Sequence, residues 1–260
     1  MAPISPDPLP RALSGARLAV AGRGRLGTAL CAALRATDLQ VQGPLGREEL
    51  PEGADAVLLC VPDSEIPTAA AAMAGRAPLV GHTSGATPLG ALAPAGATAF
   101  GLHPLQTFTG TEGLERFAGS GCAVAGETPA ALAFASDLAH RLGMRPFEIA
   151  DEHRPAYHAA ASIASNFLVA LEATAEQVAG GAGIEPAEAR ALLAPLVRST
   201  VDNWAALGPE RALTGPVARG DDATVARQRD AVAEVAPGSL PLFDELVART
   251  RVLAGREVLL

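Results

Sequence analysis

The pattern of hydrophobic and polar positions changes near residue 150. Before that point, short apolar runs alternate with helix-like stretches, which is typical of a mostly parallel sheet with crossover helices. After it, apolar residues recur at helical spacing and no β-type run remains. The pattern therefore predicts an α/β fold in two parts: an N-terminal Rossmann-type, doubly wound, mostly parallel sheet followed by an all-α domain.

The apolar runs give seven predicted strands. The run after Asp55 is continuously apolar, as expected of a central strand covered on both faces. The predicted strands span residues 18–20, 39–42, 55–61, 78–82, 97–103, 122–125 and 146–149.

The remaining periodic stretches give the predicted helices. They span residues 28–36, 154–179, 186–204, 223–235 and a last helix that follows Pro241 and ends at residue 253. Pro195 is expected to kink or split the third of these. The long Ala-rich helix could pack either on a second copy of the chain or within one chain, and we expect a homodimer through the C-terminal helices. The predicted boundaries are a disordered leader at 1–14, a nucleotide-binding domain at 15–150 and a helical substrate and dimerisation domain at 151–260.

The most informative motif is RLAVAGRGRLG at 17–27, where an apolar strand runs directly into G-x-G-x-x-G. Gly22 allows the tight turn, Gly24 lets a pyrophosphate approach the backbone, and Gly27 lets the next helix pack closely. The start of that helix would bind phosphate through its free N–H groups and its dipole. The competing interpretation is an ordinary tight turn. The predicted cofactor-binding residues of this loop are Gly22, Arg23, Gly24, Arg25, Leu26 and Gly27.

The second strand indicates which nucleotide binds. NAD-binding folds place an acidic residue about twenty positions after the glycines, where it holds the ribose 2′-hydroxyl. Residues 39–47 contain no acidic residue, whereas Arg47 follows the strand and Arg23 lies in the glycine loop. A 2′-phosphate would therefore meet cations, which favours NADP(H) over NAD. Glu48 and Glu49 weaken this argument, and Arg47 could equally be a solvated loop residue.

Further cofactor and substrate contacts are expected in the loops at the carboxyl edge of the sheet, where open α/β sheets bind ligands. We assign Val61, Pro62, Asp63 and Ser84 to the cofactor. Asp63 or Ser64 can also cap the next helix.

Two histidines and a glutamine lie in these loops. Because the pKa of histidine lies near neutrality, His103 suits proton donation to a carbonyl or imine, although a loop-bracing role is equally open. His82 either braces the turn after it or contacts substrate, and Gln106 is a candidate substrate-binding residue.

The helical part offers a polar stripe and one arginine. His158, Ser162 and Asn166 recur every four residues, so we expect them on one helix face that lines a cleft and takes part in catalysis. A solvent-facing stripe is the alternative. Arg219 is the candidate for binding a substrate carboxylate, or else it braces a turn with Asp221.

Composition excludes several classes of function. The net charge is −8 without a basic cluster, which argues against nucleic acid or a membrane as partner and favours a small-molecule substrate. The three cysteines lie far apart without metal-ligand spacing, so we expect no metal; reduced thiols and the lack of a signal peptide indicate a cytoplasmic protein. All 20 basic residues are arginines, so lysine chemistry is excluded.

Several motifs in one order resemble a known family. The motifs AGRGRLG, CVPDSEI, GHTSGA, GLHPLQTF, YHAAASIASNF and GPVARGD are similar to those of Rossmann-like proteins whose C-terminal half is a domain of unknown function, the DUF2520 type. The wider 6-phosphogluconate dehydrogenase-like superfamily includes pyrroline-carboxylate and ketopantoate reductases. The resemblance implies an NADP domain, a helical C-terminal domain and a dimer.

The resemblance also exposes a departure. Hydroxyacid dehydrogenases of this superfamily use a helix lysine four residues before an asparagine; if Asn166 is that asparagine, the lysine position holds Ser162. The proton would then come from His158, His103, Ser162 or water.

Together these features predict an NADP(H)-dependent oxidoreductase that reduces a small, carboxylated C=O or C=N compound at the domain interface. Two alternatives stay open. One is a non-catalytic nucleotide-binding sensor or scaffold, and the other is a deazaflavin-dependent NADP reductase.

Overall fold

The computed structural model describes residues 15–255, and the leader predicted at 1–14 lies outside them. The chain forms two compact units: the first ends at Ser165 and the second begins at Asn166. The domain boundary at residue 150 stays a prediction. Among the described residues, no helix is long and apolar enough to cross a membrane.

The first unit is built on a seven-stranded sheet, as predicted. Its order is β2-β1-β3-β4-β5-β6-β7, and all neighbouring strands are parallel except β5 and β6. Parallel strands place their carboxyl ends at one edge, so the loops after β1, β3, β4 and β5 share that edge. The strands are β1 (Arg17–Ala21), β2 (Gln40–Leu45), β3 (Ala56–Leu59), β4 (Leu79–His82), β5 (Thr98–Leu105), β6 (Gly121–Gly126) and β7 (Arg145–Glu148).

Two apolar layers cover the sheet because alternate strand residues point to opposite faces. On one face Leu18, Val20 and Phe100 pack against the first and third helices; on the other face Val57 and Val80 pack against the second. β3 is buried along its whole length, as its uninterrupted apolar sequence predicts. The helices of this unit are α1 (Arg25–Arg35), α2 (Ile66–Ala72), α3 (Pro129–Arg141) and α4 (Arg154–Ala164), with a 3-10 helix at Leu89–Ala95.

The second unit is all-helical, as predicted. Asp221 caps the N-terminus of the helix after it by accepting a hydrogen bond from the N–H of Thr224. Pro195 does not split its helix, which runs unbroken from Pro186 to Leu207. The helices are α5 (Asn166–Gly180), α6 (Pro186–Leu207), α7 (Pro209–Ala212), α8 (Pro216–Arg219), α9 (Asp222–Val235) and α10 (Leu240–Leu253).

The single helix predicted at 154–179 is wrong. The structure has two helices there, because Ser165 leaves the helical region at φ −123° and ψ −74°. No proline or glycine marks this position, and the apolar periodicity continues through the break. The sequence therefore gives no signal that the helix ends here.

Candidate active site

The glycine loop has the backbone geometry that its motif requires. Gly22 has φ 122°, and a Cβ there would lie 2.1 Å from the carbonyl oxygen of Cys60, so only glycine fits the turn. A Cβ on Gly27 would lie 2.1 Å from the carbonyl oxygen of Gly22, so α1 packs directly on the loop. Gly24 differs from both, because nothing lies within 4 Å of its Cβ position. The loop is thus closely packed at its ends and open at its middle.

The open position lies at the start of α1. Gly24 is the N-cap and contributes no side-chain hydrogen bond, so the first N–H groups of the helix, starting at Arg25, are available to an anion. The side chain of Leu26 packs against the core, and its backbone N–H lies in the first turn of α1, where it has no partner within the helix. This arrangement fits a pyrophosphate.

A cavity of about 480 Å³ lies beside the loop. Its size suits part of a dinucleotide, since ligand pockets span about 300–1,000 Å³. Five predicted cofactor residues line it. They are Gly22, Arg23, Arg47, Val61 and Pro62.

Two exposed ion pairs, which we call the arginine rim, border this cavity. Nη2 of Arg23 lies 2.5 Å from Oε1 of Glu49, and Nε of Arg23 donates to the carbonyl of Pro44. Nη2 of Arg47 lies 3.6 Å from Oε2 of Glu65. The N–H of Gly46, together with Arg23, holds the pKa of Glu49 below its usual value. Both arginines predicted to meet a 2′-phosphate therefore lie beside the cavity, each with a carboxylate partner.

Asp63 and Ser84 join the loops after β3 and β4. Oγ of Ser84 donates to Oδ2 of Asp63 at 2.7 Å and accepts the N–H groups of Ala86 and Thr87. The prediction that Asp63 or Ser64 caps the next helix is wrong: residues Asp63–Glu65 form a 3-10 turn without side-chain capping. Asp63 instead uses its carboxylate to hold the loop after β4.

His82 is fully buried at the end of β4. Its Nδ1 accepts the N–H of Ser84 at 3.2 Å, and its buried Nε2 has no hydrogen-bond partner within residues 15–255. Burial, helped by the positive charge of Arg154, lowers the pKa of His82 to about 4. These contacts support the bracing role, and a role in substrate binding stays a prediction.

His103 lies on the same face of the sheet, near the end of β5. Nδ1 of His103 lies 2.6 Å from the hydroxyl of Tyr157 on α4, and the two rings meet edge to face at 5.5 Å between centroids. The ring of His158 lies 6.3 Å away, centroid to centroid. Burial lowers the pKa of His103 to about 4, and the charges of His158 and Arg154 act in the same direction. The imidazole therefore carries no charge at pH 7. Its pKa in the structure is lower than the value near neutrality that the sequence suggests.

Arg154 completes the group that we call the imidazole cluster: His82, His103, Arg154 and Tyr157. Arg154 is only 3% exposed, and its Nε donates to Oδ1 of Asp151 at 2.6 Å. A Cβ on Gly101 would lie 3.7 Å from its Nη2, in ordinary van der Waals contact, so the guanidinium lies beside β5 at this position.

The predicted polar stripe is divided between two helices. His158 and Ser162 lie on α4, whereas Asn166 is the first residue of α5 in the second unit. The break at Ser165 therefore removes the regular four-residue spacing on one helix face. The catalytic roles of these three residues stay predictions.

Gln106 and Arg219 are both exposed. The side chain of Gln106 turns back on its own loop, where Oε1 accepts the N–H of Thr107. Arg219 ends α8, close enough for its charge to help lower the pKa of Asp221, whose main cause is the hydrogen bonding of Thr224. No direct hydrogen bond joins Arg219 to Asp221 among the described residues.

Sequence reasoning missed Tyr157 and Arg154. One signal was available: Tyr157 is the only tyrosine of a chain with 3% aromatic residues, and it directly precedes a predicted site residue. Arg154 had no comparable signal, since it is one of 20 arginines.

Solved structures of similar fold cover more than nine-tenths of the chain. A putative NADP oxidoreductase from Bacteroides fragilis aligns with a TM-score of 0.78 at 20% identity, covering 94% of this chain and all of that one. A protein from Thermotoga maritima aligns with a TM-score of 0.77 at 27% identity, covering 92% and 99%. Pyrroline carboxylate reductase from Plasmodium falciparum, solved with NADP bound, aligns with a TM-score of 0.61 at 10% identity, covering 94% and 100%.

Sequence comparison with curated proteins gives no match. A family model described as a domain of unknown function, DUF2520, matches residues 120–250, half of the chain. That match starts in the last strands of the first unit and extends through α9 into α10. The chain thus belongs to the DUF2520 family, as its motifs predict.

Proposed function

We propose that the protein is an NADP(H)-dependent oxidoreductase that reduces a small, carboxylated C=O or C=N compound. The observation that carries this proposal is the open glycine loop: Gly24 leaves space at the start of α1, directly beside a cavity with two arginines at its rim. Structural similarity to oxidoreductases, one of them solved with NADP bound, supports it.

The imidazole cluster supports the reductive part of the proposal. The loops after β1, β3, β4 and β5 share one edge, and the Asp63 to Ser84 bond connects the nucleotide side to the histidine side. A Cβ on Gly85 would lie 2.8 Å from the ring of His103, so the loop after β4 lies directly against this imidazole. When bound, NADPH would supply a hydride. His103 would supply the proton through a ring N–H, and neutral imidazoles can act as such donors.

The substitution Gly24→Ala tests the nucleotide site. The added methyl group meets no protein atom within 4 Å and requires no positive φ, so we expect the fold to persist with a capping cost below about 1 kcal/mol. It does occupy the space proposed for the pyrophosphate. We expect the Kd for NADPH, measured by nicotinamide fluorescence, to rise at least about tenfold.

Gly90→Ala is the matched control, because Gly90 lies in the same unit and its Cβ position is equally open. It should leave the Kd unchanged. Absence of saturable NADPH binding by the wild-type protein would refute the proposal, and equal effects of the two substitutions would refute this location. For turnover, 1-pyrroline-5-carboxylate is a suitable first probe, since a reductase from Streptococcus pyogenes named for it shares the fold at a TM-score of 0.62.

We also propose that the second unit forms a homodimer. Its helices expose large apolar side chains: Val169 is 71% exposed, Leu196 63% and Trp204 57%. Exposed apolar patches mark interaction sites, which supports this proposal. Sedimentation velocity should show a dimer that Leu196→Glu converts to monomer; a wild-type monomer at all concentrations would contradict the proposal.

A non-catalytic nucleotide sensor is the alternative function. It predicts NADPH binding without oxidation in the presence of any carbonyl or imine probe.

A further inference from the structure

The imidazole cluster contains a hydrogen bond whose direction matters for chemistry. The hydroxyl of Tyr157 and Nδ1 of His103 are 2.6 Å apart, a short distance for an O–H to N contact. Either atom can be the donor, depending on which ring nitrogen carries the proton. The direction of this bond therefore decides which nitrogen of His103 can give a proton away.

The protonation states of the two groups leave only the tautomer of His103 to be decided. Burial raises the pKa of Tyr157 to about 12, so the phenol keeps its proton at pH 7. The pKa of His103 is lowered to about 4, so its ring carries only one proton. If that proton were on Nδ1, the hydroxyl hydrogen of Tyr157 would have no acceptor within residues 15–255. This favours the phenol as the donor to Nδ1, with the proton of His103 on Nε2.

The surroundings hold both rings in this relation. The backbone of Gly85 lies against the face of the imidazole, and Phe147 packs edge to face on Tyr157 at 5.9 Å between centroids. His103 is partly exposed, and its Nε2 has no hydrogen-bond partner in the part of the chain that the structure describes. Nε2–H is thus the donor of the pair that is left for a ligand.

We propose that Tyr157 is a positioning residue that holds His103 as a neutral Nε2–H donor for the group being reduced. The inference rests on the proposed function. As the substrate oxygen or nitrogen gains electron density, the Nε2–H bond breaks and that proton is transferred to the substrate. The proton of Tyr157 moves to Nδ1, which leaves His103 neutral and Tyr157 as a phenolate that water reprotonates.

Arg154 favours this direction of proton movement. Its buried guanidinium is close enough to act on the pKa of both partners: it disfavours an imidazolium at His103 and favours a phenolate at Tyr157. The other groups acting on His103 are His158 and His82, which also oppose its protonation, and Asp63, which promotes it. The cluster therefore disfavours a second proton on His103, and Arg154 offsets part of the burial that opposes a phenolate at Tyr157.

Nitrogen NMR of the free protein tests the tautomer without cofactor or substrate. The chain has five histidines and one tyrosine, so the 15N signals of His103 can be assigned by substitution. At pH 7 we expect an unprotonated, hydrogen-bonded Nδ1 and a protonated Nε2. Tyr157→Phe keeps the ring but removes the donor, so the Nδ1 signal should shift towards that of a free acceptor. A proton on Nδ1 in the wild type, or identical signals in both proteins, would overturn the inference.

Turnover gives a second readout. With NADPH and 1-pyrroline-5-carboxylate, Tyr157→Phe should lower kcat about tenfold and leave KM unchanged, because the lost hydrogen bond acts on the donor and does not touch substrate. His140→Gln, on α3, is the control, because it changes a residue outside the imidazole cluster and should keep kcat within about twofold. An unchanged kcat in Tyr157→Phe would overturn the inference. If the wild-type protein did not bind NADPH, the proposed function would be refuted. The NMR result would still decide the tautomer.

Discussion

The arginine rim and the imidazole cluster lie along the same edge of one sheet, yet their polar groups differ in exposure and in charge. In the rim, the side chains of Arg23 and Arg47 are 61% and 86% exposed, and each lies beside an exposed carboxylate. In the cluster, His82 and Arg154 are almost inaccessible and the two histidines are neutral at pH 7.

The difference follows from the cost of burying charge. Exposed ion pairs contribute about 0–1 kcal/mol to stability and are screened by salt, so an incoming phosphate can replace their carboxylates at little cost. Burial disfavours the charged form of an imidazole, so the histidines lose their charge while the arginine keeps its own beside Asp151. The arginines of the rim can thus exchange their carboxylate partners for a phosphate. The buried groups of the cluster instead keep one arrangement of protons.

Acidification should affect the cluster most. The folded-state pKa values of His82 and His103, about 4, lie below the ordinary value of 6.5, so the unfolded chain binds more protons between these two pH values. The stability that these groups contribute is therefore complete above pH 6.5 and is lost as the pH falls towards 4. Between pH 7 and pH 5 we expect the free energy of unfolding to drop by about 2 kcal/mol for each histidine, as measured by urea denaturation.

His103→Gln isolates one of the two contributions. Glutamine can still accept the hydrogen bond of Tyr157 but does not titrate, so the loss between pH 7 and pH 5 should be smaller by about 2 kcal/mol. His140→Gln, on α3, controls for the removal of an imidazole elsewhere in the first unit. If His103→Gln and the wild type lost stability equally, burial would not lower the pKa of His103, and the contrast between the cluster and the rim would be wrong.

The sequence predicted the rim better than the cluster, and the reason is physical. The glycine loop and Arg23 are contiguous in the chain, and the strand that leads to Arg47 is a local pattern, so spacing alone brings them to one place. The bond between His103 and Tyr157 joins residues 54 positions apart. No periodicity encodes such a contact, and the pKa of His103 depends on burial that appears only after packing.

The same limit explains the error in the C-terminal half. Apolar residues keep their helical spacing across the break, from Ile163 to Phe167, and the break at Ser165 comes from backbone angles that no residue type there demands. The strands were predictable because each is a short apolar run between turn residues, a signal that tertiary contacts reinforce.

The rim should decide between NADPH and NADH, with a smaller effect than the one expected from acidification. Arg23→Gln removes a cation beside the proposed 2′-phosphate site, so the Kd for NADPH should rise about tenfold while the Kd for NADH stays within about twofold. Arg47→Gln should act in the same direction but less, because its side chain is more exposed and its ion pair is longer. Nicotinamide fluorescence titrations with both cofactors measure the ratio.

Glu49→Gln supplies the matched test in the opposite direction. It removes the carboxylate that competes for Arg23 and keeps an amide able to accept the N–H of Gly46, so NADPH should bind a few-fold more tightly at low salt. Raising the ionic strength should shrink both effects, because the groups are exposed. Arg23→Gln could instead weaken the binding of NADH as much as that of NADPH. Arg23 would then serve the pyrophosphate or the fold of the loop, and the proposal that a 2′-phosphate replaces its carboxylate partner would be wrong.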